Sequence, residues 1–395
     1  MHPNVPHLRF PEFHGEWEKC KLGDIAILTK GSGISKDQRS ATGTPCILYG
    51  ELYTTYKSEV IDYVVSKTDI SDKNLVRSCA NDIIIPSSGE TAIDISTARC
   101  VLSPDVLLGG DLNIIRLKDG DGRFFSYQLN GVRKYDIAKI AQGVSVVHLY
   151  GESIKGLTVS FPSNKEQQKI STLLSLIDER IATQNKLIEK LESLIKGINQ
   201  RVFMNSGNNY KLGEICEIRS GYFGSQLLSK KGLKVSRIET ISGHKVNMER
   251  VGYVAPFESS ENYRLRVGDI LFSNINSVEY IGNTAFIDKD YDLYHGMNLL
   301  RLTPNHMVVI PFYLYLLLNT NRMLNRFKAV CNKAVSQASI NQTELGKTVV
   351  QIPPINTQEQ ICELYQALYT KLETESHTKS LFQNQKQYML RQMFI

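Results

Sequence analysis

NKEQQKISTLLSLIDERIATQNKLIEKLESLIKGINQRVF, Asn164–Phe203, decides the architecture of this chain. Its 40 residues hold no proline and one glycine, Gly197. Leu173, Ile177, Ile181, Ile188, Leu191, Ile195 and Ile198 recur at steps of three, four and seven, which draws one apolar stripe along a helix. At the α-helical rise such a helix is roughly 60 Å long, well beyond the usual helix of a compact domain. The stripe needs a cover, because an isolated helix gains too little from propensity to stay folded. Asn356–Ile395, NTQEQICELYQALYTKLETESHTKSLFQNQKQYMLRQMFI, is also 40 residues and has neither proline nor glycine. A shift of 191 residues lays one stretch on the other without a gap. Leu173 then falls on Leu364, Ile177 on Leu368, Ile181 on Leu372, Leu191 on Phe382, Ile198 on Met389 and Phe203 on Phe394. The pattern predicts two long antiparallel helices forming a coiled-coil rod.

Repetition extends outward from the helices. Lys21-Leu-Gly-Asp-Ile25 recurs as Lys211-Leu-Gly-Glu-Ile215, each followed by a glycine-bearing turn. Asn81–Ile85 answers Gly268–Phe272, and Leu112–Leu117 (LNIIRL) matches Met297–Leu302 (MNLLRL). Val144-Ser145 and Val335-Ser336 lie 191 apart, and the strand-like LTVSFP and TVVQIP each close on proline just before a long helix. Short apolar runs punctuated by Gly, Asn, Ser and Pro, with helical patterns at Phe124–Ile140 and Pro311–Val330, indicate an α/β (α+β) fold with a mixed sheet. The expected order is an arm at 1–17, a domain at 18–163, a helix at 164–204, a second domain at 205–355 and a second helix at 356–395. Such an internal repeat gives the molecule an approximate twofold axis, with the arm beside the end of the second helix.

Bulk properties narrow the class. With 42% apolar and 22% charged residues the chain reads as globular. MHPNVPHLRFPEF lacks the positive and apolar regions of a secretory signal, and the longest apolar run, Val308–Leu318, is broken by Pro311. Seven scattered cysteines without a CxxC pair suit reduced thiols in a cytoplasmic protein, with no membrane association. The net charge of +6 is uneven: 18 basic and 19 acidic residues give −1 in Met1–Ser163, while 17 basic and 12 acidic give +5 in Met204–Ile355. A basic second domain permits nucleic-acid binding.

Catalytic patterns are missing. There is no GxxxxGK[ST] phosphate loop, no HExxH pair, no S-adenosylmethionine glycine motif and no Asn-Pro-Pro-aromatic motif of adenine methylation. Asp119-Gly-Asp-Gly122 lacks the acidic residue a calcium loop needs at position twelve and reads as a turn. No metal site and no cofactor are expected in this chain, and it is read as non-catalytic. What remains is a recognition surface of loops. Lys30, Ser32 and Lys36, then Ser87, Ser88 and Thr91, then Gln142, Ser145 and His148 are the candidates in the first domain. In the second domain they are Tyr222, Ser225, Lys230 and Arg237, then Asn274 and Asn276, then Lys333, Ser336 and Gln337. Such polar side chains can meet base edges, and Gly-Ser turns can hold phosphates; Lys230, Lys231, Lys234 and Arg237 could form one phosphate cluster. The alternative for each is a solvated loop. On the first helix, Asp178, Glu179 and Arg180 are candidate points for docking partner proteins, or simply solvated charges.

The chain resembles the specificity subunits of type I restriction-modification systems. Leu8-Arg-Phe-Pro-Glu-Phe, Gly15-Glu-Trp17-Glu-Lys and Lys21-Leu-Gly-Asp24 carry the likeness. So do Phe161-Pro with Lys165-Glu-Gln-Gln-Lys-Ile170, Leu176-Ile-Asp-Glu179, and Ile352-Pro-Pro with Gln358-Glu-Gln-Ile361. The second helix departs from the pattern: it reads Ala367-Leu-Tyr369 opposite Leu176-Ile-Asp178 and lacks the Ile-Asp-Glu triplet of the first. The resemblance implies two target-recognition domains, each reading one half of a bipartite asymmetric duplex DNA sequence. It implies helices that set the half-site spacing and dock two methyltransferase subunits. Those partners would supply S-adenosylmethionine, and restriction-translocase subunits would use ATP and Mg. The rival expectations are a coiled-coil protein-binding scaffold without a DNA role, and a complete enzyme that modifies and cuts.

Overall fold

In a computed structural model the chain is described at residues 4–71, 74–203, 207–333 and 337–395. It divides into two compact units, Met1–Leu187 with Glu375–Ile395, and Ile188–Thr374. The boundaries fall inside the two long helices rather than at their ends.

In the first unit a helical turn, Leu22–Ile25, links strand β1 (Glu18–Lys21) to β2 (Ala26–Lys30). The Lys21 amide donates to Asp24 at 3.0 Å and starts that turn, the role of the recurrent Lys-Leu-Gly-acid element. Strands β3 (Val60–Ile61), β4 (Asp82–Pro86), β5 (Arg99–Val101) and β6 (Leu112–Leu117) complete a five-stranded sheet in the order β2–β6–β4–β5–β3. Only β3 and β5 run parallel within it, so this sheet is mixed as the pattern predicts. β7 (Thr158–Phe161) pairs with β1. The Ile83-Ile84-Ile85 run is continuous because both faces of β4 are covered. Ile83 and Ile85 pack with Trp17, Phe124, Leu174, Leu390 and Phe394, whereas Ile84 packs with Ile47, Leu52 and Leu108.

The expected helix at Phe124–Ile140 is two pieces, α1 (Gly122–Asn130) and Lys134–Ile140, broken at Gly131. Asp121 accepts from the Arg123 amide and caps α1, so the Asp119–Gly122 stretch is a turn with a capping function.

The second unit repeats the plan, except that its central sheet is antiparallel throughout where the pattern predicts a mixed one. Strand β8 (Asn208–Lys211), the turn Leu212–Ile215 and β9 (Cys216–Ser220) lead into a four-stranded antiparallel sheet. Its order is β9–β12–β10–β11, with β10 (Ile270–Ser273), β11 (Thr284–Phe286) and β12 (Leu299–Pro304). β13 (Val349–Ile352) pairs with β8. Pro311–Val330 is likewise split, into α3 (Pro311–Leu318) and α4 (Asn321–Val330), with Thr320 capping the latter. Ile270 and Phe272 pack with Tyr313, Leu314, Phe327 and Tyr365.

One expected correspondence shifts. Ile115 sits opposite Ile83, and Leu302 sits opposite Ile270, so Ile115 answers Leu302 instead of Leu300. The polar contacts agree: Arg116 grips Asp82 at 2.8 and 2.7 Å, and Thr303 donates to Asp269 at 2.6 Å. A shift of two keeps every strand side chain on its own face, so the apolar pattern alone could not expose it.

The long helices are α2 (Asn164–Val202) and α5 (Ile355–Gln392). Within the first unit the start of α2 meets the end of α5 antiparallel, Gln184 donating to the Glu375 carbonyl at 3.2 Å and Lys386 to Asp178 at 2.5 Å. Within the second unit Tyr365 of α5 donates to Asn199 of α2. The stripe residues of α2 are all buried or half-buried, as are Leu368, Leu372, Phe382, Met389 and Phe394 of α5, but Leu364, expected to match Leu173, is exposed. Gln167 and Gln358, 191 apart, are both buried and do the same work. Gln167 donates to Pro162 and accepts from the Asp121 amide, while Gln358 donates to Pro353 and accepts from the Ile310 amide. Each pins the start of a long helix to its own domain. The arm lies beside the end of α5, as expected: the Leu8 amide donates to the Gln392 carbonyl at 2.9 Å, and Trp17 packs edge-on to Phe124 and Phe394. Arg9 holds the buried Glu166 with two bonds, at 2.7 and 2.8 Å.

Candidate nucleic-acid interface

Strand register decides where the candidate loops go. In the first unit Lys30 lies opposite Asn113, and Pro86 opposite Leu112. The loops leaving β2 and β4 and the loop entering β6 therefore meet at one end of the sheet. Gly31 is required there, because a Cβ would stand 2.0 Å from the Gly109 carbonyl oxygen. The Ser87 amide donates to the Asp111 carbonyl at 2.7 Å, and Ser88 pairs with His148 in a short ladder. So Lys30–Lys36, Pro86–Thr91 and Gln142–His148, distant in sequence, form one face. A groove of about 780 Å³ on this face is lined by Lys36, Arg39, Tyr49 and Asp111 among others.

Candidate side chains on this face divide in two. Lys30, Lys36, Gln142, Ser145 and His148 are exposed, and the His148 ring stacks on Tyr150 at 6.2 Å. Thr91 is also exposed, Ser32 is half-buried, and both hydroxyls bond to backbone, while Ser87 and Ser88 lie inside. The Ser32 hydroxyl accepts from the Val76 amide at 2.7 Å, and Thr91 caps a helical turn by accepting from the Asp94 amide. Short hydroxyl side chains in loops can contact a ligand, but they equally satisfy loop backbone.

In the second unit Ser220 lies opposite Leu300 and Ser273 opposite Leu299, so the same three kinds of loop meet at one sheet end. Ile275-Asn276 pairs with Ala338-Ser339, which pairs with Asn332-Lys333, and this brings the loops after β10 and before β13 together. Ser225, Lys230, Arg237, Lys333 and Gln337 are exposed. Ser336 lies outside the described residues. Asn276 is spent on its own turn, donating to Ser273 and accepting from the Ser277 amide. Asn274 is half-buried, with an unpaired side-chain oxygen. Tyr222 turns inward, its ring flat on Phe257 at 3.9 Å. Its neighbour Phe223 is exposed instead, a residue the sequence reading passed over.

Lys230 and Lys231 sit at the tip of a loop closed by the Leu227 amide on the Tyr253 carbonyl and by the pairing of Leu233 with Val254. Lys234 is half-buried on that ladder, and Arg237 lies 3.4 Å from Glu239, so the four cations are not equally free. His295, behind Gly221, is pushed down to about 4 by burial and adds no positive charge to this face at neutral pH.

The helix candidates also separate. Glu179 and Arg180 are exposed, the Arg180 guanidinium lying 5.8 Å from the Phe382 ring centre. Asp178 faces inward: it accepts from Tyr127 at 2.8 Å and Ser58 at 3.0 Å and pairs with Lys386. The heptad-like stripe placed it on the polar flank, but the domain body reaches over that flank and encloses it. Among the described residues no cluster of three His, Cys, Asp or Glu could hold a metal, and no helix is long and apolar enough to cross a membrane.

Residues 14–193 and 206–381 match the family described as the type I restriction modification DNA specificity domain. The MjaVIII type I restriction enzyme specificity subunit of Methanocaldococcus jannaschii is 22% identical over 422 aligned positions, 96% of this chain and 94% of that protein. A chain of the same organism described as an MjaX specificity subunit is 38% identical over 188 residues; that alignment spans 47% of this chain and 44% of the relative's length. The fold is similar to the crystal structure of a type I restriction-modification S subunit from M. genitalium, with a TM-score of 0.64, 18% identity and 99% of each chain covered. A second solved chain, from work on assembly and conformational transition of the type I system, gives a TM-score of 0.59 at 16% identity over 95% of this chain and 96% of that one.

Proposed function

The chain belongs to the type I restriction-modification DNA specificity family, and from that premise we propose that each unit reads one half of a split, asymmetric duplex DNA sequence. The observation that carries this reading is the meeting of three separated loops at one end of the central sheet in each unit. Exposed Lys30, Lys36, Gln142, Ser145 and His148 are the proposed contacts of the first unit, and Ser225, Lys230, Arg237, Lys333 and Gln337 those of the second. Because the two sets differ in chemistry, the half-sites differ.

The long helices α2 and α5 act in this reading as an antiparallel coiled-coil rod, relating the two repeats by an approximate twofold axis. A stiff spacer lets two short readings add, since the second contact becomes intramolecular, and half-sites about one DNA turn apart, ~34 Å, suit it. Methyltransferase subunits dock on the helices, with Glu179 and Arg180 as proposed contacts; Asp178 acts by holding the helices to the domain. The chain itself is non-catalytic. The methyltransferase subunits bring S-adenosylmethionine, and restriction-translocase subunits bring ATP and Mg. Family membership favours this reading over a scaffold without a DNA role.

Co-expression with its methyltransferase followed by genome-wide mapping of methylated adenine tests the proposal. One bipartite motif is expected; a continuous motif or none overturns it. Exchanging 205–355 for another family member's second domain should change one half-site alone.

A further inference from the structure

Tyr222 and Phe223 are neighbours in an extended segment and point to opposite sides. Tyr222 is fixed inward, flat on Phe257 at 3.9 Å and edge-on to Tyr263 at 5.5 Å. The flanking glycines hold that arrangement. A Cβ on Gly221 would lie 1.9 Å from the Gly296 carbonyl oxygen, and one on Gly224 would lie 2.0 Å from the Tyr222 ring. With its neighbour clamped, Phe223 is left 70% exposed. A lone exposed aromatic would need no explanation. Here Leu227 and Leu228 are exposed within five residues of it, and the run Ser220–Arg237 carries four cations and no acidic residue. An apolar tip set in a purely basic loop fits a polyanion that also presents apolar surface. Duplex DNA does so, through phosphates on the outside and through thymine methyls or exposed base planes within. In the first unit the apolar tip sits on another loop, at Val144, which is 96% exposed.

We propose that Phe223 contacts the apolar surface of a base in the half-site read by the second unit, while Lys230 and Lys231 hold the adjoining phosphates. This rests on the DNA-reading function proposed above. The surface is either a thymine methyl in the major groove or a base plane at a loosened step, and the two are separable.

The test uses the full chain assembled with its methyltransferase subunits and duplexes carrying the mapped motif. Each thymine of the second half-site is replaced in turn by deoxyuridine, which lacks only the methyl. In a second series 2-aminopurine reports unstacking. Phe223→Ala should weaken binding of the natural duplex roughly tenfold and leave the melting temperature unchanged, with Phe223→Leu recovering most of the loss. A methyl contact is indicated if one deoxyuridine weakens the native complex but not the Phe223→Ala complex. A base-plane contact is indicated if 2-aminopurine brightens with the native complex and not with the variant. Loss that is independent of both series, no loss at all, or failure of Phe223→Ala to assemble with methyltransferase subunits each overturns the inference. Failure of the native complex to bind any duplex would instead overturn the DNA-reading function.

Discussion

Lys386, near the end of α5, donates to Asp178 of α2 at 2.5 Å in the interior of the first unit. The same ammonium reaches Glu59 of the recognition domain, and Asp178 also accepts from Tyr127 and Ser58. Three charged side chains, each about nine-tenths buried, thus tie both helices to the domain they carry. Removing one partner of a buried ion pair strands the others without compensation. Lys386→Met should therefore cost about 3–5 kcal/mol, read as a lower melting temperature of the first unit. Replacing Lys386, Asp178 and Glu59 together with apolar residues should recover most of the loss. Glu179→Ala, at the exposed neighbour, should leave melting unchanged. Equal melting of Lys386→Met and the native chain would mean the network does not bind the helices to the domain.

Alkaline titration gives an independent check on the same contact. Burial alone lowers the Lys386 value, but the Glu59 and Asp178 carboxylates outweigh it and raise it above its ordinary 10.5. A raised value for a base means stability that is complete below the unfolded value and is lost as pH rises through the folded one. The native chain should hold its melting temperature up to about pH 10 and then fall more steeply than Lys386→Met. Parallel curves for the two proteins would sink the assignment.

Gln167 and Gln358 offer a matched pair of tests. Gln167→Leu leaves the Asp121 amide and the Pro162 carbonyl without partners, and Gln358→Leu does the same to Ile310, Pro353 and Val308. Each should cost about 1–3 kcal/mol, and because they share no partner the losses should add. Urea unfolding of the two single variants and the double variant measures this. A double variant no worse than either single would show that the two glutamines are not separate pins.

These residues also show what sequence alone could tell. The helices, the repeat and the meeting of loops were legible, because apolar spacing and matched motifs leave strong periodic signals. Side-chain direction was not. Asp178 reads as a solvated helix charge until Glu59 and Tyr127 close over it, and those residues lie more than fifty positions away in sequence. Ser32 and Thr91 look like contact groups, yet a loop hydroxyl serves its own backbone as readily as a ligand. Tyr222 and Phe223 are equivalent as loop aromatics in the sequence, and only the partner Phe257 decides which ring turns inward. The two-residue shift in β12 was invisible because it preserves strand polarity. In every case the missing information was a tertiary partner, not a local preference.

The basic loop Ser229–Gly232 allows phosphate holding to be separated from base reading. Lys230 and Lys231 are exposed, and the only ion pair among the four clustered cations joins Arg237 to Glu239 among the described residues. A lysine that meets only phosphate releases counterions on binding and weakens all sequences alike when removed. Lys230→Ala and Lys231→Ala should each lower affinity for the cognate and a scrambled duplex by the same factor, and each should reduce the slope of log affinity against log salt by about 1. Gln337→Ala or Gln142→Ala should act otherwise. Each should leave the salt slope in place and relax the methylated motif in one half-site, Gln142 in the first unit's half and Gln337 in the second's. Affinity titrations over a salt series, paired with methylome mapping for the glutamine variants, decide between these roles. If the lysine variants altered the motif, or the glutamine variants altered only the salt slope, the division of this face into phosphate holders and base readers would be wrong.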